Sequence, residues 1–213
     1  MTALELLPFE SELSAPKPAA EESPSRVVYY EGKRIYFRPV ELADEALLRR
    51  WVNDPRVWRG LMLRQPTNAN RERAWIESLG TSTTDYVFGI VVRAEDRLIG
   101  TVGLRQLDLA HRKATMGIMI GEPAYHNKGF GTEAVQLILR FGFEELNLNR
   151  IALSVFSNNL RAIRCYQKAG FVHEGCLRQA FYRNGQYHDE YRFAVLRDEW
   201  PGNARDDAEC WLV

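Results

Sequence analysis

The chain has 213 residues, enough for one large domain that holds a real core without disulfides or metals. Lys plus Arg equals Asp plus Glu at 28 each, so the formal net charge is zero and bulk charge indicates no general affinity for nucleic acid. Three irregularly spaced cysteines (Cys165, Cys176 and Cys210) argue against a disulfide framework or a zinc cluster, and no run of about 18 apolar residues predicts a membrane helix.

Residues 1–25 carry Pro8, Pro16, Pro18 and Pro24 among Ala, Ser and Glu. Such a segment buries too little apolar surface to offset its ordering entropy, so it reads as a flexible tail, with a short helical turn around Leu4 to Leu7. Residues 26–213 read as one domain. The N-terminus lacks the basic start and apolar run of a signal peptide, and a cytoplasmic enzyme is the expectation.

Arg34 to Val40 is a strand candidate that Pro39 ends. Glu41 to Val52 reads as a helix with Leu42, Ala46, Leu47 and Trp51 on its apolar face, closed by Asn53-Asp54-Pro55. Trp58 to Thr67 is irregular, and Asn70 to Leu79 is a second helix with Ala74, Trp75 and Leu79 facing inward. Tyr86 to Val92, Leu98 to Leu107 and Ala114 to Gly121 follow as strands joined by short turns, which predicts an antiparallel meander. Pro123 stops the last of them. The rhythm then becomes strand and helix in alternation. A helix spans Gly131 to about Leu146, a strand Arg150 to Phe156, and a helix Asn159 to Lys168 with a stop at Ala169-Gly170. Phe171 to Arg183 and Gln186 to Leu196 are strands joined by Asn184-Gly185, a hairpin signal.

The chemistry concentrates at His126-Asn127-Lys128-Gly129-Phe130-Gly131-Thr132, between an apolar strand and an amphipathic helix. At such a junction several backbone N–H groups lack helical acceptors and carry the positive end of the helix dipole, which suits an anion such as a pyrophosphate. Gly129 and Gly131 permit close approach, Lys128 adds a cation and Thr132 a hydroxyl. The glycine–lysine–serine/threonine ending of the Walker loop and the G-x-G-x-x-G dinucleotide fingerprint are both absent. Arg161, Arg164, Lys168, Arg178, Arg183 and Arg192 crowd the C-terminal part, where most are expected at the solvated surface and some could face an anionic ligand.

The loop resembles the Q/R-x-x-G-x-G/A signature of GNAT N-acetyltransferases, with His126 departing from the usual first residue. Asn159-Leu-Arg-Ala-Ile-Arg-Cys-Tyr166-Gln-Lys-Ala-Gly170-Phe171 is similar to the same family's N-x-x-A-x-x-x-Y-x-K-x-G-F pattern. The opening Ile35-Tyr-Phe-Arg38-Pro39 and the ending from Glu174 to Asp189 look like its RimJ/RimL branch, which acetylates N-terminal amines of ribosomal proteins.

The resemblance implies an α+β fold with a mixed, mostly antiparallel sheet of about seven strands and about four helices on both faces. It implies direct transfer of acetyl from acetyl-CoA to a primary amine, without a metal. The acceptor it suggests is a protein or peptide N-terminus; a polyamine or antibiotic amine and a non-catalytic CoA-binding module are the alternatives. Membranes and nucleic acids are not expected partners, and a homodimer is possible on family grounds. Tyr166 would be the general acid, and Asn159 would hold the pantetheine arm or position Tyr166. Ile118, Met119, Ile120, His126, Asn127, Lys128, Gly129, Phe130, Gly131, Thr132 and Ala162 would complete the cofactor site with Asn159 and Tyr166. Trp58, Tyr182 and His188 would line the acceptor cleft, with Tyr187 beside them. Glu122 is the leading catalytic carboxylate; Glu174, His111, His188, Asp189 and Asp85 are other candidates for the base.

Overall fold

A computed structural model describes residues 27–63 and 65–203. The expected tail, its turn at Leu4 to Leu7 and Cys210 lie outside the described residues. Among the described residues eight strands form one sheet in the order β1-β2-β3-β4-β5-β6-β8-β7. They are β1 (Tyr30–Glu31), β2 (Ile35–Pro39), β3 (Tyr86–Val92), β4 (Arg97–Asp108), β5 (Lys113–Ile120), β6 (Arg150–Phe156), β7 (Val172–Arg183) and β8 (Gln186–Leu196). The meander from β2 to β5 is antiparallel, as its short turns predict. The strand in excess of seven is β1, two residues long and therefore without a periodic signal.

Among the described residues five α-helices flank the sheet: α1 (Glu45–Val52), α2 (Pro55–Trp58), α3 (Ala69–Thr81), α4 (Phe130–Arg140) and α5 (Leu160–Lys168). The alternation of β2 shows how both faces are covered. Ile35 and Phe37 enter the large core beneath α4 and α5, while Tyr36 enters a second cluster with Leu48, Trp51 and Ile76 from α1 and α3. With helices on both faces, β3 reads as a continuous apolar run rather than an alternating one.

Two helix faces differ from the periodic reading. A 3-10 turn at Leu42–Asp44 precedes α1 and shifts its angular phase, so Leu48 is buried while Leu42 and Ala46 are exposed. In α3 the buried positions are Glu72 and Ile76, with Ala74 exposed. The predicted long helix ends its α-helical part at Arg140 and continues as a π turn, Phe141–Glu145. That turn buries Phe141, whose ring meets Phe88 edge-on at 5.3 Å. The hairpin turn is as expected, with Asn184 and Gly185 both at positive φ.

Candidate active site

The site begins where the sheet comes apart. β5 and β6 pair in parallel only from Lys113 to Thr115 against Arg150 to Ala152. Beyond that point β5 stays on β4 and β6 stays on β8, so the rest of β5 has no strand on the β6 side. A cavity of about 370 Å³ opens in this wedge. Ile118, Met119 and Ile120 line one wall, and Asn159, Ala162 and Tyr166 line the other.

Its floor is the loop into α4. Asn127 (φ 59°) and Gly129 (φ 84°) are both left-handed, with Lys128 between them. This conformation turns successive N–H groups the same way and forms an anion-binding concavity. Among the described residues the amides of residues 127–132 donate to no protein acceptor. Asn127, Gly129, Gly131 and Thr132 line the cavity. The side chains of Lys128 and Phe130 lie off it: Lys Nζ sits 5.7 Å from the Tyr125 ring, and Phe130 packs between Tyr125 and the Arg34 guanidinium.

His126 also lines the cavity, and its Nε2–H donates to the Ile120 carbonyl at 2.9 Å. The ring thus ties the loop to the end of β5. Burial holds its pKa below 6.5, which favours the neutral ring. The neighbouring Gly121 is required by packing, since a Cβ there would fall 2.1 Å from the Trp51 ring.

Asn159 is the N-cap of α5, its side chain accepting the Ala162 amide at 3.2 Å. Tyr166 follows two turns later, buried in its body but lining the cavity. Burial pushes its phenol pKa well up, so the hydroxyl keeps its proton. Cys165 is also pushed up by burial, against a hydrogen bond from the Thr132 hydroxyl. A thiol held protonated is a poor nucleophile. Arg161, Arg164 and Lys168 line the same cavity and surround it with positive charge.

The opposite mouth contains Val57, Gly60 and Leu61, from α2 and the segment after it, which sequence patterning left irregular. Trp58 itself is not in the lining. Its ring lies beneath the Arg183 guanidinium, 4.9 Å away. Arg183, at the tip of the β7–β8 hairpin, also donates to the carbonyls of Trp58 and Leu63. Tyr182 and Tyr187 pair with each other on the exposed hairpin, ring centres 4.9 Å apart, and His188 approaches Asn158. Neither Tyr182 nor His188 lines the cavity among the described residues.

Glu122 lies outside the lining, its carboxylate bound by Arg50 at 2.9 Å and Arg97 at 3.4 Å. The remaining candidate bases are engaged elsewhere. Glu174 pairs with Arg150, His111 with Asp108, Asp85 accepts the Gln106 amide and Asp189 the Gln179 amide. The pairing of Arg34 with Glu133 and of Arg183 with the Trp58 carbonyl has no signal in the sequence, since the partners lie about a hundred residues apart in the chain. Among the described residues no helix is long and apolar enough to cross a membrane.

Comparison with known proteins agrees with this geometry. Residues 34–172 match the model of an acetyltransferase (GNAT) domain. An uncharacterized N-acetyltransferase, p20, from Bacillus licheniformis is 31% identical over 80% of this chain and 97% of its own length. The probable N-acetyltransferase YjcK from Bacillus subtilis is 35% identical over 79% of this chain and 97% of its own. Among solved structures, the spermidine N-acetyltransferase from Vibrio cholerae in complex with CoA and spermine superposes with a TM-score of 0.73. It is 26% identical, and the match covers 78% of this chain and 97% of that one.

Proposed function

Because the chain belongs to the GNAT acetyltransferase family and is an N-acetyltransferase, we propose that it moves acetyl from acetyl-CoA directly to a protein or peptide N-terminal amine. The carrying observation is the pairing of a free β5 edge with a loop whose amides have no protein acceptor. An extended amide-bearing arm fits the first as an added strand, and a diphosphate fits the second. The thioester supplies the acyl group; the residues do the rest.

In this reading Ile118 to Ile120 hold the pantetheine arm by their backbone. Residues 127–132 hold the diphosphate, and Arg161, Arg164 and Lys168 add long-range attraction for the negative carrier. Asn159 fixes the start of α5 and thereby the direction of Tyr166. Tyr166 donates the proton that the departing thiolate takes up, a role supported by its position in the cavity and by the proton that burial keeps on its hydroxyl. Among the described residues the cavity lining contains no carboxylate, so the amine loses its proton to water rather than to Glu122. Residues 26–213 act as one catalytic unit, working in the cytoplasm. The acceptor preference rests on the RimJ/RimL-like opening and ending of the sequence.

A polyamine acceptor is the second reading, favoured by the likeness to the spermidine enzyme. A turnover screen with acetyl-CoA separates them. N-terminal peptides should release free CoA faster than spermidine or aminoglycosides do; the reverse order assigns the polyamine role. Stabilisation by acetyl-CoA with no turnover on any amine would leave a binding module. Tyr166→Phe should lower kcat about a hundredfold with CoA affinity nearly unchanged.

A further inference from the structure

One residue outside the cavity lies against the loop that carries its amides. The Arg34 side chain lies behind the loop and makes three contacts with it. Its Nη1 donates to the Lys128 carbonyl at 3.0 Å, its Nε donates to the Glu133 carboxylate at 2.8 Å, and its guanidinium lies 4.6 Å from the Phe130 ring centre. The backbone of the same segment adds to this, with the Arg34 amide donating to Glu133 at 2.7 Å and the Ile35 amide at 3.3 Å.

Two consequences follow from elementary chemistry. Gly129, left-handed at φ 84°, is the N-cap of α4, so the Lys128 carbonyl lies outside the helix, and the first backbone bond of α4 is Glu133 to Gly129. The amides of residues 130–132 are the unpaired first-turn donors of the helix. What Arg34 holds, through the Lys128 carbonyl, is the left-handed loop that leads into them. Glu133, for its part, places a carboxylate in the first turn of a helix whose N-terminus is proposed to bind an anion. Turned outward onto Arg34 and the start of β2, it does not compete for the dipole.

We infer that Arg34 is a positioning residue for the diphosphate. By holding the Lys128 carbonyl it braces the left-handed loop that carries the cradle, and by holding Glu133 it keeps a negative charge out of it. The inference rests on the acetyl-CoA reading of the cavity and specifies which contact sets affinity for the diphosphate.

The test needs no knowledge of the acceptor. Binding of CoA and of pantetheine, which lacks the diphosphate, is measured by calorimetry for wild type, Arg34→Ala, Arg34→Lys, Glu133→Gln and the double variant Arg34→Ala/Glu133→Gln. Unfolding temperatures are recorded alongside. Arg34→Ala should weaken CoA about tenfold or more, the scale of one charge-assisted contact, and leave pantetheine within about twofold. Arg34→Lys, which keeps charge but not the fork, should weaken CoA to an intermediate degree. The double variant should recover only part of the loss, because the Glu133 charge is gone while the Lys128 carbonyl remains unheld. Full recovery of CoA affinity in the double variant would reduce Arg34 to a charge neutraliser and overturn the inference. Equal losses for CoA and pantetheine, or no loss for CoA, would overturn it as well. Failure of the wild type to bind CoA would instead remove the reading on which the inference stands.

Discussion

The two walls of the cleft are built by different means. The wall assigned to the cofactor is backbone: the unpaired edge of β5 and the amides at the entrance to α4. The wall assigned to the acceptor is an irregular segment after α2, held in place by the side chain of Arg183 reaching across from the β7–β8 hairpin. Backbone recognition is insensitive to side-chain change so long as the local conformation survives. A wall anchored by side chains, Arg183 at one end and Asn53 at Thr67, is open to re-setting by substitution. The cofactor half is therefore expected to resist change and the acceptor half to be tunable.

The harshest challenge to this contrast is Gly129→Glu. The position has φ 84°, which side chains resist, and the new carboxylate would face the diphosphate. CoA affinity should fall more than about a hundredfold by calorimetry. A near-normal affinity would show that the wall does not depend on its backbone.

Arg183→Ala tests the other half. It removes two hydrogen bonds to carbonyls and the stacking on Trp58 and Phe181. The acceptor KM should rise about tenfold, while CoA affinity stays within about twofold. A loss of CoA affinity of the same size would mean that the two walls are not separable.

His126→Gln should have the smallest effect. Glutamine can donate to the Ile120 carbonyl as the ring does, without titrating. Burial depresses the histidine pKa in the fold, so the unfolded chain binds the proton first as pH falls. The contribution of the neutral ring to stability is complete above about pH 6.5 and erodes below it. Thermal unfolding from pH 7.5 to 5 should be less steep in pH for the variant than for wild type, with CoA affinity at pH 7.5 within about threefold.

Much of the cofactor wall was legible because it is local in sequence. The run ending at Gly121, the glycine loop, and the Asn159 to Tyr166 spacing each lie within one segment, and those segments meet in the cavity. The strand boundaries were legible for the same reason: apolar runs stop at turns with their own chemistry, as at Asn184-Gly185. The acceptor wall was not. Trp58 was singled out as an aromatic in an irregular stretch, yet Val57, Gly60 and Leu61 reach the cavity while the Trp58 ring stacks under Arg183. That arrangement depends on a contact spanning 125 positions, which no periodicity encodes. Arg34 escaped notice likewise, since its value lies in a carbonyl 94 residues away. On the first helix Leu47 and Trp51 pack inward as read, while Leu42 and Ala46 were misplaced because a 3-10 turn before α1 alters the residue-per-turn count.

The parting of β5 from β6 has a consequence for the molecule as a whole. Three residue pairs at one end are the strand-to-strand seam between its two half-sheets, the remainder of that junction being bridged by α4 and α5. A carrier lodged in the gap would act as a zipper, adding rungs where the chain provides none. Amide exchange along Met116 to Ile120 should then slow sharply when the carrier is added, and the protein's lifetime against unfolding would track the supply of that carrier.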